Sequence, residues 1–267
     1  MKTDGKIKKT ALYLVLLLIW LSALFVVVFL SLTKQTSAHS AELPVYSVET
    51  DKKIASLTFN CAWDDTGLTE LMHILESNNI RATFFVVGDF AEKYPDAVRM
   101  IYNAGHELGN HSMKHKDPVK MTYTELLRDI DECNKLLRSI TGCDVSLYRV
   151  PSGSYNTDTI TAAKSLGMTA VQWDTDSIDW KDITTEEIKN RIIKKADSGS
   201  IILFHVGKEN TVEALPGIIE IMKNNGFSFV TVSELLPEGE TYIDINGRLH
   251  KSEPSAITIP VTIQKND

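Results

Sequence analysis

Glu107-Leu-Gly-Asn-His-Ser-Met-Lys-His115 joins the two signals on which a reading of this chain turns. Its first four residues make a short β-rich run that feeds directly into His111 and, four positions on, His115. An i,i+4 pair shares one face of a helix or tight turn, so both imidazoles can reach one ion. Neutral imidazole is the commonest protein ligand for zinc and also suits iron, nickel and cobalt. In a parallel α/β architecture chemistry gathers at the carboxyl edge of the sheet, and a strand that runs into such ligands suits one.

Working outward, the same rhythm recurs. β-Rich runs occupy residues 54–59, 82–87, 107–110, 146–149, 169–173, 200–205 and 228–232, with stretches of helical period between them. Thr122 with Glu125 and Thr184 with Glu187 have the spacing of capping boxes. Gly105, Gly142, Gly167 and Gly226 each follow a helical stretch, where a left-handed residue is wanted. The alternation predicts an α/β domain over residues 53–236, a distorted, incomplete (β/α)7-type barrel. In a tail over residues 237–267, Asn246-Gly247 between two alternating runs predicts a β-hairpin, and residues 256–264 an edge strand interrupted by Pro260.

The N-terminus has a different character. Residues 11–32 carry no charge and are long enough to cross a bilayer as a helix. Lys2, Lys6, Lys8 and Lys9 precede them against Asp4 alone, which predicts a cytoplasmic N-terminus and export of the rest of the chain. The run exceeds the hydrophobic stretch of about 7–15 residues usual in signal peptides. Residues 1–34 are therefore read as a cytoplasmic stub and uncleaved signal anchor, with secretion after cleavage near Ser40 as the alternative, and polar residues 35–52 as a linker. The exported part has 23 Lys and Arg against 34 Asp and Glu, a net charge near −11. That balance argues against nucleic acid or anionic lipid as the main partner of the domain. Cys61, Cys133 and Cys143 cannot build a full disulfide framework; free thiols are expected, and a Cys133–Cys143 pair stays open.

Five expected strand ends are rich in polar groups: Asn60-Cys-Ala-Trp-Asp-Asp65, His111 to His115, Arg149-Val-Pro-Ser-Gly153, Asp174 to Trp180, and His205. Their order and spacing resemble the polysaccharide deacetylases with a NodB-like domain. The resemblance covers about residues 53–236. It is carried by Thr58-Phe59, His-Ser-x-x-His, Arg-x-Pro-x-Gly, Asp176-x-x-Asp179-Trp180, Leu203-x-His205 and the stretch from Arg81 to Gly88.

The resemblance implies a metal-dependent hydrolase that removes acetyl groups from a polysaccharide. A divalent ion, zinc first and cobalt, nickel or iron otherwise, would be held by His111, His115 and a carboxylate. His205 would be the general acid, held in register by Asp176 or Asp174. Arg149 would orient the catalytic carboxylate, unless it forms a structural ion pair with Asp179. Trp180 would line the acetyl site, and a backbone N–H near Ser154 and Tyr155 would face the oxyanion. Export and anchoring point to cell-wall N-acetyl sugars, peptidoglycan first.

One departure divides the reading. The family usually carries Asp-Asp after Thr-Phe, a general base and then a metal ligand, and this chain has Asn60-Cys61. Asn is no base and a weak ligand. The stretch resembles a sporulation-associated branch with acidic residues a few positions later, so Asp65, or else Asp64 or Cys61, is expected to complete the metal site. Two outcomes stay open: an active deacetylase with a relocated ligand, or a degenerate domain that binds glycan in the envelope without turning it over.

Overall fold

The computed structural model describes residues 20, 22, 24, 43–181 and 183–252. Apart from helical Trp20, Ser22 and Leu24, the apolar N-terminal run lies outside them, as does the strand expected at 256–264. Among the described residues no helix is long and apolar enough to cross a membrane. The chain divides into two units, Met1–Ala41 and Glu42–Asp267, and the second holds the α/β domain.

After a short strand β1 (Ser47–Val48), strands β2 (Ile54–Cys61), β3 (Thr83–Val86), β4 (Glu107–Asn110), β5 (Leu147–Arg149), β6 (Thr169–Val171), β7 (Thr175–Asp176) and β8 (Ile201–His205) follow in sequence. The last seven form one curled sheet in the order β6-β5-β4-β3-β2-β8-β7, and β9 (Ser228–Phe229) pairs with the start of β2. Every pairing in that sheet is parallel. Helices α1 (Leu68–Ser77), α2 (Gly88–Lys93), α3 (Pro95–Asn103), α4 (Tyr123–Thr141), α5 (Thr157–Ser165), α6 (Thr185–Lys195) and α7 (Glu209–Asn224) make the crossovers, and α8 (Val232–Leu235) follows β9.

Period two in β2 separates its two faces. Ala55, Leu57, Phe59 and Cys61 pack with Leu71, Leu75 and Ile218 of the helices. Ser56, Thr58 and Asn60 alternate with them and are equally buried, as a strand covered on both faces requires. Both expected capping boxes form, at Thr122–Glu125 and Thr184–Glu187, and two more appear at Asn156–Thr159 and Thr231–Glu234.

Two expectations need correction. Residues 169–173 do not form one strand. The β6 ladder stops at Val171, because Gln172 N–H donates to Val45 O and Asp174 N–H to Ile201 O. The chain thereby crosses from one end of the sheet to the other, and β7 pairs with β8. Residues 35–52 are not wholly a linker either: Val45 and Val48 are buried, and Val45 hydrogen-bonds along the outer edge of β6. β1 also joins a three-stranded sheet with the hairpin β10 (Thr241–Ile243) and β11 (Arg248–Lys251), in register Tyr242 opposite His250. Gly247, at φ 79°, makes the tight turn.

Candidate active site

The carboxyl ends of β2, β4, β5 and β8 bring Asn60, His111, Arg149 and His205 to one edge. Asn60 is in register with His205 across β2 and β8, and His111 follows the last residue of β4. The His pair stands on a turn, not a helix. Asn110 Oδ1 accepts from Ser112 N–H at 2.7 Å, and Ser112 Oγ accepts from His115 N–H at 2.8 Å. The amides of Gly88 and Asp89 donate to Ser112 O and Met113 O and pin that turn to the start of α2. The turn is strained: Ser112 has φ 70° and His115 φ 50°, with Ser152 and Ile178 also left-handed at neighbouring strand ends. Such outliers persist only where the surroundings hold them, and they gather at functional sites.

His111 Nδ1–H donates to Arg149 O at 2.8 Å, which fixes the tautomer and leaves Nε2 buried with no partner. The His115 ring lies edge-on at 4.9 Å. Burial holds both imidazoles below their ordinary pKa, in the neutral form a metal needs. The pair therefore fits a divalent ion. The third donor is not gathered with it: among the described residues no three His, Cys, Asp or Glu side chains are grouped to hold a metal. Cys61 is excluded by its strand parity, since its side chain lies in the apolar layer and burial pushes the thiol pKa up. Asp64 Oδ1 accepts from Thr66 N–H, and Asp65 is exposed on the same loop. All three cysteines are free thiols, with no Cys133–Cys143 bond.

His205 Nδ1–H donates to Asp179 Oδ1 at 2.7 Å, and Asp179 Oδ2 accepts from His205 N–H at 2.8 Å and from Thr211 Oγ1 at 2.6 Å. A carboxylate so fully occupied fixes the imidazole with Nε2 outward. This corrects two readings. The partner of His205 is Asp179, not Asp176 or Asp174, and Asp179 makes no ion pair with Arg149. Asp174 accepts instead from Ser200 Oγ and Ile201 N–H, and Asp176 Oδ1 from Ile178 N–H.

Arg149 is fully buried, stacked 3.9 Å from the Phe85 ring centroid with Trp173 at 5.7 Å. Its guanidinium donates to Thr58 Oγ1, to Asn60 Oδ1 at 3.1 Å and to Gln172 O, while Nε has no partner. Burial lowers its pKa, and the charge of Asp176 opposes that. A buried cation is thus held by neutral acceptors alone, and Asn60 occupies the place where a carboxylate would pair with it.

The other expected contacts lie at the margin. Ser154 N–H donates to Pro151 O at 3.2 Å. Tyr155 Oη accepts from Tyr46 Oη. Trp180 is exposed with the Lys181 ammonium over its ring. Thr211, which no motif singles out, buttresses Asp179, and Trp63, in the motif after β2 and expected to pack at the core or rim, has its ring 5.1 Å from that of His205. The position of Trp63 just past the end of β2 was the available signal.

Comparison with known proteins agrees with this geometry. The polysaccharide deacetylase family profile matches residues 47–171. A peptidoglycan-N-acetylglucosamine deacetylase of Bacillus cereus is 34% identical over 72% of this chain and 92% of its own length. The uncharacterized protein YlxY of Bacillus subtilis is 31% identical over 73% of this chain, which spans 61% of that protein. Among solved structures, a CE4 family pseudoenzyme from Bacillus anthracis superposes with a TM-score of 0.71 at 29% identity, covering 78% of this chain and 73% of that one. A mutant of that pseudoenzyme is described as having restored enzymatic activity.

Proposed function

The chain belongs to the polysaccharide deacetylase family, and from that premise we propose that it is a membrane-anchored hydrolase of the acetamide of cell-wall N-acetyl sugars. Peptidoglycan is the first substrate, and the products are acetate and the sugar amine. The observation that carries this reading is the His205–Asp179–Thr211 array, a general acid held in one tautomer at the carboxyl edge of the sheet. His205 Nε2 delivers the proton that the departing amine requires, and Asp179 stabilises the imidazolium. His111 and His115 hold a divalent ion, zinc first, with Asp65 or Asp64 of the loop after β2 as the carboxylate. When bound, that ion supplies an acidified water and polarises the acetyl carbonyl. Residues 11–32 anchor the chain with the domain outside the cell.

The second reading, a glycan-binding domain without turnover, is favoured by a specific observation: Asn60 facing the buried Arg149 guanidinium. Loss of a general base costs about 10²–10⁴ in rate. The test is acetate release from peptidoglycan, chitooligosaccharides and acetylated xylan by the full-length chain in detergent with zinc or cobalt, beside its Asn60→Asp variant. We expect slow release by the natural chain and an increase of about 10²–10⁴ in Asn60→Asp. No acetate from either protein, with metal bound, overturns the hydrolase reading. Fractionation of expressing cells checks the anchor, which predicts the chain in the membrane pellet.

A further inference from the structure

We infer that Trp63 and Lys208 form a recognition pair for a carboxylate-bearing sugar at the mouth of the His205 site. The inference rests on the family's glycan chemistry and names the kind of glycan. Trp63 is 48% exposed beside the buried His205 and Asp179, an unusual place for a large apolar ring. Its centroid lies 5.1 Å from the His205 ring at 35°, and the Lys208 ammonium stands 4.5 Å from the same indole centroid. The two residues leave neighbouring strands, β2 and β8, on loops that are clamped together. Gly207, at φ 86°, backs onto Asp64 so closely that a Cβ there would fall 2.9 Å from Asp64 Oδ1. Among the described residues Lys208 makes no ion pair, and its ammonium sits over the Trp63 indole.

An indole offers its face to the C–H side of a pyranose. In the free protein the ammonium covers that ring through a cation–π contact, which is weak at exposed sites. A carboxylate on the sugar draws the ammonium away into a charge-assisted hydrogen bond and frees the ring for stacking. A neutral N-acetylglucosamine chain offers the ammonium no such exchange; a strand whose sugars carry a lactyl carboxylate does. The site therefore prefers acidic, muramic-type sugars.

Equilibrium binding tests this without requiring turnover. The full-length chain in detergent is titrated with chitotetraose and with a peptidoglycan tetrasaccharide stripped of peptide, which has free lactyl carboxylates. The natural chain should bind the acidic tetrasaccharide about tenfold more tightly, the fold-change of one charge-assisted hydrogen bond. The preference should shrink as salt is raised. Lys208→Met should remove the preference, Lys208→Arg should keep it, and Trp63→Ala should weaken the acidic tetrasaccharide by about tenfold. Equal affinities in the natural chain, failure to bind either glycan, or a preference that survives Lys208→Met overturns the inference. Absent acetate release with the preference intact defeats the hydrolase reading alone.

Discussion

At the residue scale the site is a pair of half-built devices. Around His205 both oxygens of Asp179 accept hydrogen bonds, three in all, whereas around Arg149 the hydrogen-bond acceptors of a fully buried cation are all neutral oxygens. An unpaired buried charge costs several kcal/mol. Asn60→Asp should therefore stabilise as well as activate: pairing the guanidinium with a carboxylate at 3.1 Å is expected to add about 1.5–3 kcal/mol to the unfolding free energy. Chemical denaturation of the two proteins checks this, and a less stable Asn60→Asp chain refutes it. In that background Asp179→Asn should lower kcat by about 10²–10⁴ and leave KM nearly unchanged, since the lost group holds the acid and not the sugar. The residue types at 60, 111, 149 and 205 were legible in the sequence from their motif spacing. The partnership of Asp179 with His205 was not, because three acidic residues within six positions compete for it and only the turn at Ile178 selects one.

At the element scale the capping boxes and the strand–helix alternation could be read directly, since both are local: a Thr and a Glu three residues apart satisfy each other wherever the helix lies. The break between β6 and β7 depends on Val45, a residue more than 120 positions away in sequence, and no local pattern contains it. Packing between strands is equally non-local. Gly109 on β4 has the Phe85 ring of β3 directly above it, where a Cβ would stand 2.5 Å from a ring carbon, and Phe85 in turn stacks on Arg149. Gly109→Ala is thus expected to cost about 1–3 kcal/mol and to disturb the active-site arginine as well. A variant as stable as the natural chain in thermal unfolding contradicts that packing.

At the scale of the whole molecule, buried histidines make stability depend on pH. Burial, aided by the charge of Arg81, lowers His106 to about 4, and its Nδ1 accepts the Ala82 amide. The unfolded imidazole takes a proton near its ordinary pKa of about 6.5, so between about 6.5 and 4 the unfolded chain binds more protons than the folded one. Stability contributed by neutral His106 is therefore present above about pH 6.5 and is lost as pH falls through that window, by about 3 kcal/mol in all. His111, lowered by burial, acts in the same direction. Urea midpoints measured between pH 7 and 5 should fall, and should fall less in His106→Asn, which keeps an acceptor for the amide; an unchanged slope refutes the assignment. By itself the sequence determined the parallel α/β class, the capped starts of the helices at Thr122 and Thr184, the family and the missing base, because periodicity, caps and motif order are properties of short stretches. Only the tertiary structure decided how the chain passes from one end of the curled sheet to the other, which carboxylate holds His205, that Cys61 faces away from the site, and that Trp63 and Lys208 meet over it. Each of those is a contact between distant segments, set by strand parity and register rather than by any stretch of chain alone.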